Sequence, residues 1–173
     1  LKICEKKDLK SFIHCYHLYW IMLDINEAMI FAAGFGKRMY PLTNEVPKPL
    51  LKVNGKPIIF YIIEDLINLN FKNIVINTHH LSDKFYDELK PYSKTVKIIF
   101  EEEILDTGGG FLNAIKKDYF YNLKSPKVLI NGDVLWKTTT TSPIKNLLQN
   151  WNEEKMDLLL CLVKKNFFLG YKG

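Results

Sequence analysis

The sequence predicts an α/β sandwich built on a mostly parallel sheet, and three observations carry that expectation. From Ala28 onward, short apolar runs rich in Ile and Val alternate with segments of helical period, the pattern of βαβ units. The 173 residues suit one domain, or one domain and a fragment. The composition, 47% hydrophobic and 25% charged, is that of a soluble globular chain able to bury a core, which excludes collagen-like, coiled-coil and disordered classes.

Residues 1–24 mix Lys-rich and aromatic pieces without either period and read as an appendage, with Met22 as an alternative start, ahead of a domain over 25–173. The apolar stretch 12–23 is short, carries His14 and His17 and lacks a small-residue cleavage site, so neither a membrane span nor a signal peptide is expected. Strands are expected over 28–33, 73–77, 95–100, 127–131 and 157–164. After a tight turn at Asn54-Gly55, residues 57–69 read as a helix with Pro57 in its first turn. Ser82 should cap a helix running to Lys90, and Thr107 one running to Lys117. In such a sandwich the loops at the strand ends hold the ligand.

The net charge of +5 suits a phosphate-rich ligand but falls short of the dense basic stripe of a nucleic-acid binder; neither nucleic acid nor membrane is expected as a partner. Three cysteines, at 4, 15 and 161, form no Cys-x-x-Cys pair. Their odd number argues against a disulfide framework and for a reducing, cytoplasmic setting.

The loop after the first expected strand reads Ala32-Ala33-Gly34-Phe35-Gly36-Lys37-Arg38-Met39-Tyr40-Pro41-Leu42-Thr43. Its two glycines let the backbone approach a ligand and present N–H donors to phosphate oxygens, while Lys37 and Arg38 add positive charge. It is neither a Walker A loop nor a complete Rossmann fingerprint, and Gly-x-Gly alone equally fits a plain turn. Next, Lys48 stands between Pro47 and Pro49. The prolines should hold it in extended geometry, from which its ammonium can be aimed at a phosphoryl group, although taken alone the motif also fits a plain surface turn. Further along, Glu101-Glu102-Glu103-Ile104-Leu105-Asp106-Thr107-Gly108-Gly109-Gly110 ends a strand and opens a helix on three glycines, whose exposed N–H groups let a flat base or ribose lie against the backbone. Finally, Asn131-Gly132-Asp133 delivers one carboxylate at the end of a buried strand. There it can hold Mg²⁺ while phosphates and water complete the octahedron, although Asn-Gly-Asp taken alone also fits a common turn.

Ala-Ala-Gly-x-Gly-x-Arg-x-x-Pro-Leu-Thr followed by Pro-Lys-Pro-Leu resembles the N-terminal signature of the sugar-phosphate nucleotidyltransferases, which join a nucleoside triphosphate to a sugar 1-phosphate and release pyrophosphate. The resemblance implies a Rossmann-like three-layer α/β/α sandwich of the nucleotide-diphospho-sugar transferase type. It also implies nucleotide-binding roles for Ala33, Gly34, Gly36, Lys37, Arg38, Thr107, Gly108 and Gly109. Arg38 then matches the pyrophosphate-contacting arginine, Lys48 the phosphate-contacting lysine and Asp133 the Mg²⁺ position. Asp-Thr-Gly-Gly-Gly with Asn-Gly-Asp-Val is most similar to the bacterial N-acetylmuramate 1-phosphate uridylyltransferase subgroup, active in cell-wall recycling, and implies UTP. Mannose 1-phosphate guanylyltransferases, which use GTP, share much of the frame.

The resemblance covers about residues 28–165, whereas the family continues with sugar contacts and a second metal-binding aspartate; the domain is therefore expected to be incomplete at its C-terminus. Two functions follow as expectations: the complete transfer reaction, or nucleotide binding by a catalytically silent fragment. Other clusters point less clearly to chemistry. Cys4, His14, Cys15 and His17 have irregular spacing for zinc. His79 and His80, adjacent on extended backbone, should point oppositely. Trp20, Trp136 and Trp151 read as packing residues, and 137–141 as a polar loop.

Overall fold

The computed structural model describes residues 25–136 and 141–162. Among these residues six strands run in chain order: β1 (Glu27–Phe31), β2 (Lys52–Val53), β3 (Lys56–Pro57), β4 (Asn73–Thr78), β5 (Val96–Phe100) and β6 (Val128–Asn131). Four helices accompany them: α1 (Ile58–Asn68), α2 (Ser82–Glu88), α3 (Asp106–Lys116) and α4 (Pro143–Asn150). β5, β4, β1 and β6 form a parallel sheet in that order, with Ala28 opposite Ile74 on one side and Val128 on the other.

The period of two within β1 builds two cores. Ala28 and Ile30 face a cluster with Ile59, Ile62 and Leu66 of α1, Phe85 of α2 and Ile144 and Leu148 of α4. Met29 faces the other way, onto Val75, Ile99, Ala114 of α3 and Phe120. Helices therefore cover both faces, giving the three expected layers. The chain leaves β1 for β4 and β5 on one side, then returns through α3 to β6 on the other. The strand order thus reverses at β1, and the ends of β1 and β6 open a crevice there.

Several boundaries differ from expectation. β1 starts at Glu27 and stops at Phe31, two residues before the expected end. Pro57 is the residue before α1 rather than within its first turn, and it pairs with Lys52 in the small hairpin that Asn54-Gly55 closes, both at positive φ. Ser82 is the first residue of α2, not its cap. Its hydroxyl is taken by the Thr78 hydroxyl at 2.8 Å, and left-handed Leu81 turns the chain into the helix. That helix stops at Glu88, short of Lys90, because Pro91 follows in a 3-10 turn over Lys90–Tyr92.

Thr107 does not cap α3 either. The Glu101 carboxylate holds Leu105 N–H at 3.3 Å and Asp106 takes a left-handed φ of 56°, so Leu105 occupies the cap position and the helix begins two residues earlier, at Asp106. The strand expected over 157–164 is absent from 157–162: its apolar residues suit a strand, but no described strand pairs with it, and Leu158, Leu160 and Leu162 lie exposed. Residues 163–164, the appendage with its cysteines and histidines, Trp20 and most of the loop 137–141 lie outside the described residues. α4 was not foreseen; Ser142 caps it by accepting from Lys145 N–H at 3.2 Å, and Pro143 opens its first turn. Trp136 and Trp151 pack against the larger core, as packing residues should.

Candidate active site

A cleft of about 350 Å³ lies at the C-terminal ends of β1, β4 and β6. Ala33, Gly34, Gly36, Lys37 and Arg38 form one wall, and Ile104, Asp106 and Thr107 the facing wall at the start of α3. Lys48 and Asp133 stand at the third side, with Asn77 and Asn131 also lining the space.

The glycine-rich wall is shaped by its own hydrogen bonds. Gly36 has φ 66°, its carbonyl accepts from Met39 N–H at 2.8 Å and from the Thr43 hydroxyl at 3.0 Å, and Lys37–Met39 then coil into a 3-10 turn. Arg38 projects from that turn, exposed, and forms no hydrogen bond or ion pair with another described residue. Phe35, between the glycines, packs edge-on to His79 at 5.5 Å and tilted to His80 at 5.6 Å. The chain is already turning at His80 rather than extended, so both rings reach the same partner, and neither histidine lines the cleft.

Lys48 differs from expectation in its backbone. It opens a 3-10 turn, closed by Leu50 N–H to Pro47 O at 2.8 Å and Leu51 N–H to Lys48 O at 3.2 Å, instead of lying extended. Pro49 is tolerated at the second position because no N–H is needed there. The turn seats Pro49 beside Gly132, whose missing side chain leaves room: a Cβ there would stand 3.0 Å from Phe31 O and 3.4 Å from Pro49 Cγ. Across that contact Lys48 Nζ meets Asp133 Oδ2 at 2.5 Å, joining two motifs 85 residues apart. Both side chains are partly open to water, so the bond is a contact that a charged ligand can rearrange.

The three glycines of α3 do not share one role. A Cβ at Gly108 would meet nothing within 4 Å; at Gly109 it would come to 3.0 Å of Leu105 Cβ, and at Gly110 to 2.8 Å of Asn77 Nδ2 and Glu101 Oε1. Neither Gly108 nor Gly109 lines the cleft, whereas Thr107 and Asp106 do. Asn77 lines the cleft from outside every motif read in the sequence, an amide that directly follows the apolar run Ile74-Val75-Ile76, and Asp106, which belongs to the α3 motif but was given no role there, lines it too.

Residues 27–166 match the sequence profile of the nucleotidyl transferase family. The chain belongs to that family. Over 150 residues the chain is 30% identical to the N-acetylmuramate alpha-1-phosphate uridylyltransferase of Caulobacter vibrioides, a match covering 83% of this chain and 60% of that protein. It is 34% identical over 113 residues to the mannose-1-phosphate guanyltransferase of Schizosaccharomyces pombe, covering 63% and 31%. Among solved structures, the CTP:phosphocholine cytidylyltransferase of Streptococcus pneumoniae superposes with a TM-score of 0.53 at 31% identity, covering 67% of this chain and 49% of that one. The chain thus spans 60% or less of the length of these relatives. Its fold is that of the nucleotide-diphospho-sugar transferases, as the sequence implied. Among the described residues no helix is long and apolar enough to cross a membrane.

Proposed function

We propose that the cleft binds a nucleoside triphosphate, UTP with GTP as the alternative, and that its nucleotidyl group passes to a sugar 1-phosphate with release of pyrophosphate. The pairing of Lys48 with Asp133 beside the glycine-rich wall carries this reading, because it gathers both charge signs where phosphates would lie. The uridylyl and guanylyl names of the relatives support the two nucleotide alternatives. By the same argument the acceptor is N-acetylmuramate 1-phosphate, with mannose 1-phosphate as its alternative.

An oxygen of the sugar phosphate attacks the α-phosphorus, the bond to the β-phosphate oxygen breaks, and pyrophosphate departs. The attacking oxygen is already ionised at neutral pH, so no general base is needed; the protein must align two anions and offset their repulsion. Arg38, unpaired among the described residues, offsets charge on the departing pyrophosphate. Lys48 turns from Asp133 to the reacting phosphate, and backbone N–H groups near Gly34 hold the remaining oxygens. Mg²⁺ fits the donor set: Asp133 already faces a cation in the form of the Lys48 ammonium, and this ion is commonly held by one or two carboxylates with substrate phosphates and water. When bound it supplies further charge neutralisation at the phosphate oxygens. Among the described residues no three His, Cys, Asp or Glu side chains converge on a metal position, so the substrate would furnish most ligands.

The test is pyrophosphate release across UTP, GTP and the two sugar 1-phosphates, with calorimetric titration of each nucleotide alongside. Mg²⁺-dependent binding and release are expected, with release lowered about 10²-fold or more by Asp133→Asn in a folded chain. Unchanged release in that variant refutes the role of Asp133. Nucleotide binding without release leaves this chain the binding half of the reaction.

A further inference from the structure

The two walls of the cleft are tied together beneath it by one chain of hydrogen bonds. Ala32 N–H, at the start of the glycine loop, donates to Asn77 Oδ1 at 2.9 Å. Asn77 Nδ2 donates to Glu101 Oε1 at 3.0 Å, and Leu105 N–H, just ahead of α3, donates to Glu101 Oε2 at 3.3 Å. Both bridging residues are only 2% exposed, and the missing side chain of Gly110 is what lets α3 settle onto them. The two ends fix the chemistry between them. Each end is an N–H donor, an amide accepts on one side and donates on the other, and a carboxylate accepts on both. An amide at 77 followed by a carboxylate at 101 therefore matches a donor to an acceptor at every link of the chain, with the Asn77 amide turned one way only.

We propose that Asn77 and Glu101 are positioning residues for nucleotide binding, which set the separation between the phosphate wall and the α3 wall by acting through Ala32 and Leu105. The proposal rests on the nucleotide reading of the cleft. Its consequence is selective. A nucleotide engages both walls and is sensitive to their spacing, whereas inorganic tripolyphosphate engages the phosphate wall alone.

The polarity argument supplies the experiment. Asn77→Asp sets a second carboxylate against Glu101, and Glu101→Gln removes one of the two acceptors that the chain requires. Combining them restores every bond with the carboxylate moved: position 77 then accepts from Ala32 and from the amide at 101, whose oxygen accepts from Leu105. Calorimetric titration with UTP and with tripolyphosphate is carried out on the wild-type chain, both single variants and the double variant, with folding verified by circular dichroism. Each single substitution should weaken UTP binding at least about 10-fold and tripolyphosphate binding less than about 3-fold, while the double variant recovers UTP affinity to within about 3-fold of wild type. Equal losses for both ligands, single variants that bind UTP as wild type does, or a folded double variant without recovery would each overturn the role. Should a single variant fail to fold, the double variant decides. A wild-type chain that binds neither ligand overturns the nucleotide reading itself and this role with it, a result distinct from any pattern among the variants.

Discussion

Gly34 and Gly36 stand two residues apart and meet different physical demands. A Cβ at Gly34 would have nothing within 4 Å, so any side chain there projects into cleft space. At Gly36 the left-handed φ, together with Thr43 Cγ2 at 3.0 Å and Lys48 Cβ at 3.2 Å from the Cβ position, makes glycine a condition of the loop's own folding. Gly34→Val should therefore cost nucleotide affinity at least about 10-fold without moving the thermal midpoint, because a ligand and not the protein is displaced. Gly36→Val should lower stability by about 2–3 kcal/mol and disturb Lys48 as well. Thermal denaturation and calorimetric titration of both variants separate the cases, and wild-type UTP affinity in Gly34→Val would place the phosphates elsewhere. The sequence expectation that both glycines act by close approach alone is thus revised for Gly36. Glycines, a proline-flanked lysine and a strand-end aspartate can be read along the chain because each motif is local. Asn77 was not readable in that way, since its partners lie 45 and 24 residues away and meet it only once β1, β4 and β5 are side by side.

Among the elements, α3 offers the sharpest contrast, because its glycines should respond with opposite sign to the same substitution. Alanine normally stabilises a helix position over glycine by about 0.5–1 kcal/mol. Gly108→Ala has open space and should gain about that amount. Gly110→Ala would set a methyl group 2.8 Å from two buried polar atoms and should cost about 1–3 kcal/mol, despite the better propensity. Urea denaturation of the two variants reads the difference directly, and a stabilising Gly110→Ala would mean that α3 does not seat on Asn77 and Glu101. The two central strands, β1 and β4, were legible because their apolar runs are buried on both faces. Helix starts were less so. Ser82 and Thr107 have the chemistry of caps, yet Thr78 takes the hydroxyl of one and Glu101 fixes the start of α3 ahead of the other. The run at 157–162 has strand composition, but a ladder also needs an edge that accepts it, which composition does not reveal.

On the scale of the whole molecule, the end of β1 opposite the cleft is locked by a buried acid. Burial pushes the Glu27 carboxyl up, but hydrogen bonds from Asn73, from the N–H groups of Tyr121 and Asn122 and from Lys127 outweigh it and hold the group below its ordinary 4.5. The unfolded chain therefore takes up the proton first. The stabilisation is fully present above about pH 4.5 and is lost as the pH falls through the lower folded value. Glu27→Gln should leave Lys127 buried without its 3.3 Å partner, cost about 2 kcal/mol or more at pH 7, and flatten the acid limb of stability. Urea midpoints from pH 7 to 3 check this, and an unaltered acid limb would assign it to other carboxylates.

The pairing of β6 with β1 has a consequence in time. During synthesis β1, β4, β5 and the glycine loop all leave the ribosome before Val128, which pairs with Ala28 across 100 residues of chain. Closing so long a loop is an entropic cost that only the finished ladder offsets. Of the described residues lining the cleft, Asp133 is the last to emerge. A nucleotide that needs this carboxylate has no complete site on the nascent sheet and rewards only the chain in which β6 has docked beside β1, so bound ligand reports that docking step.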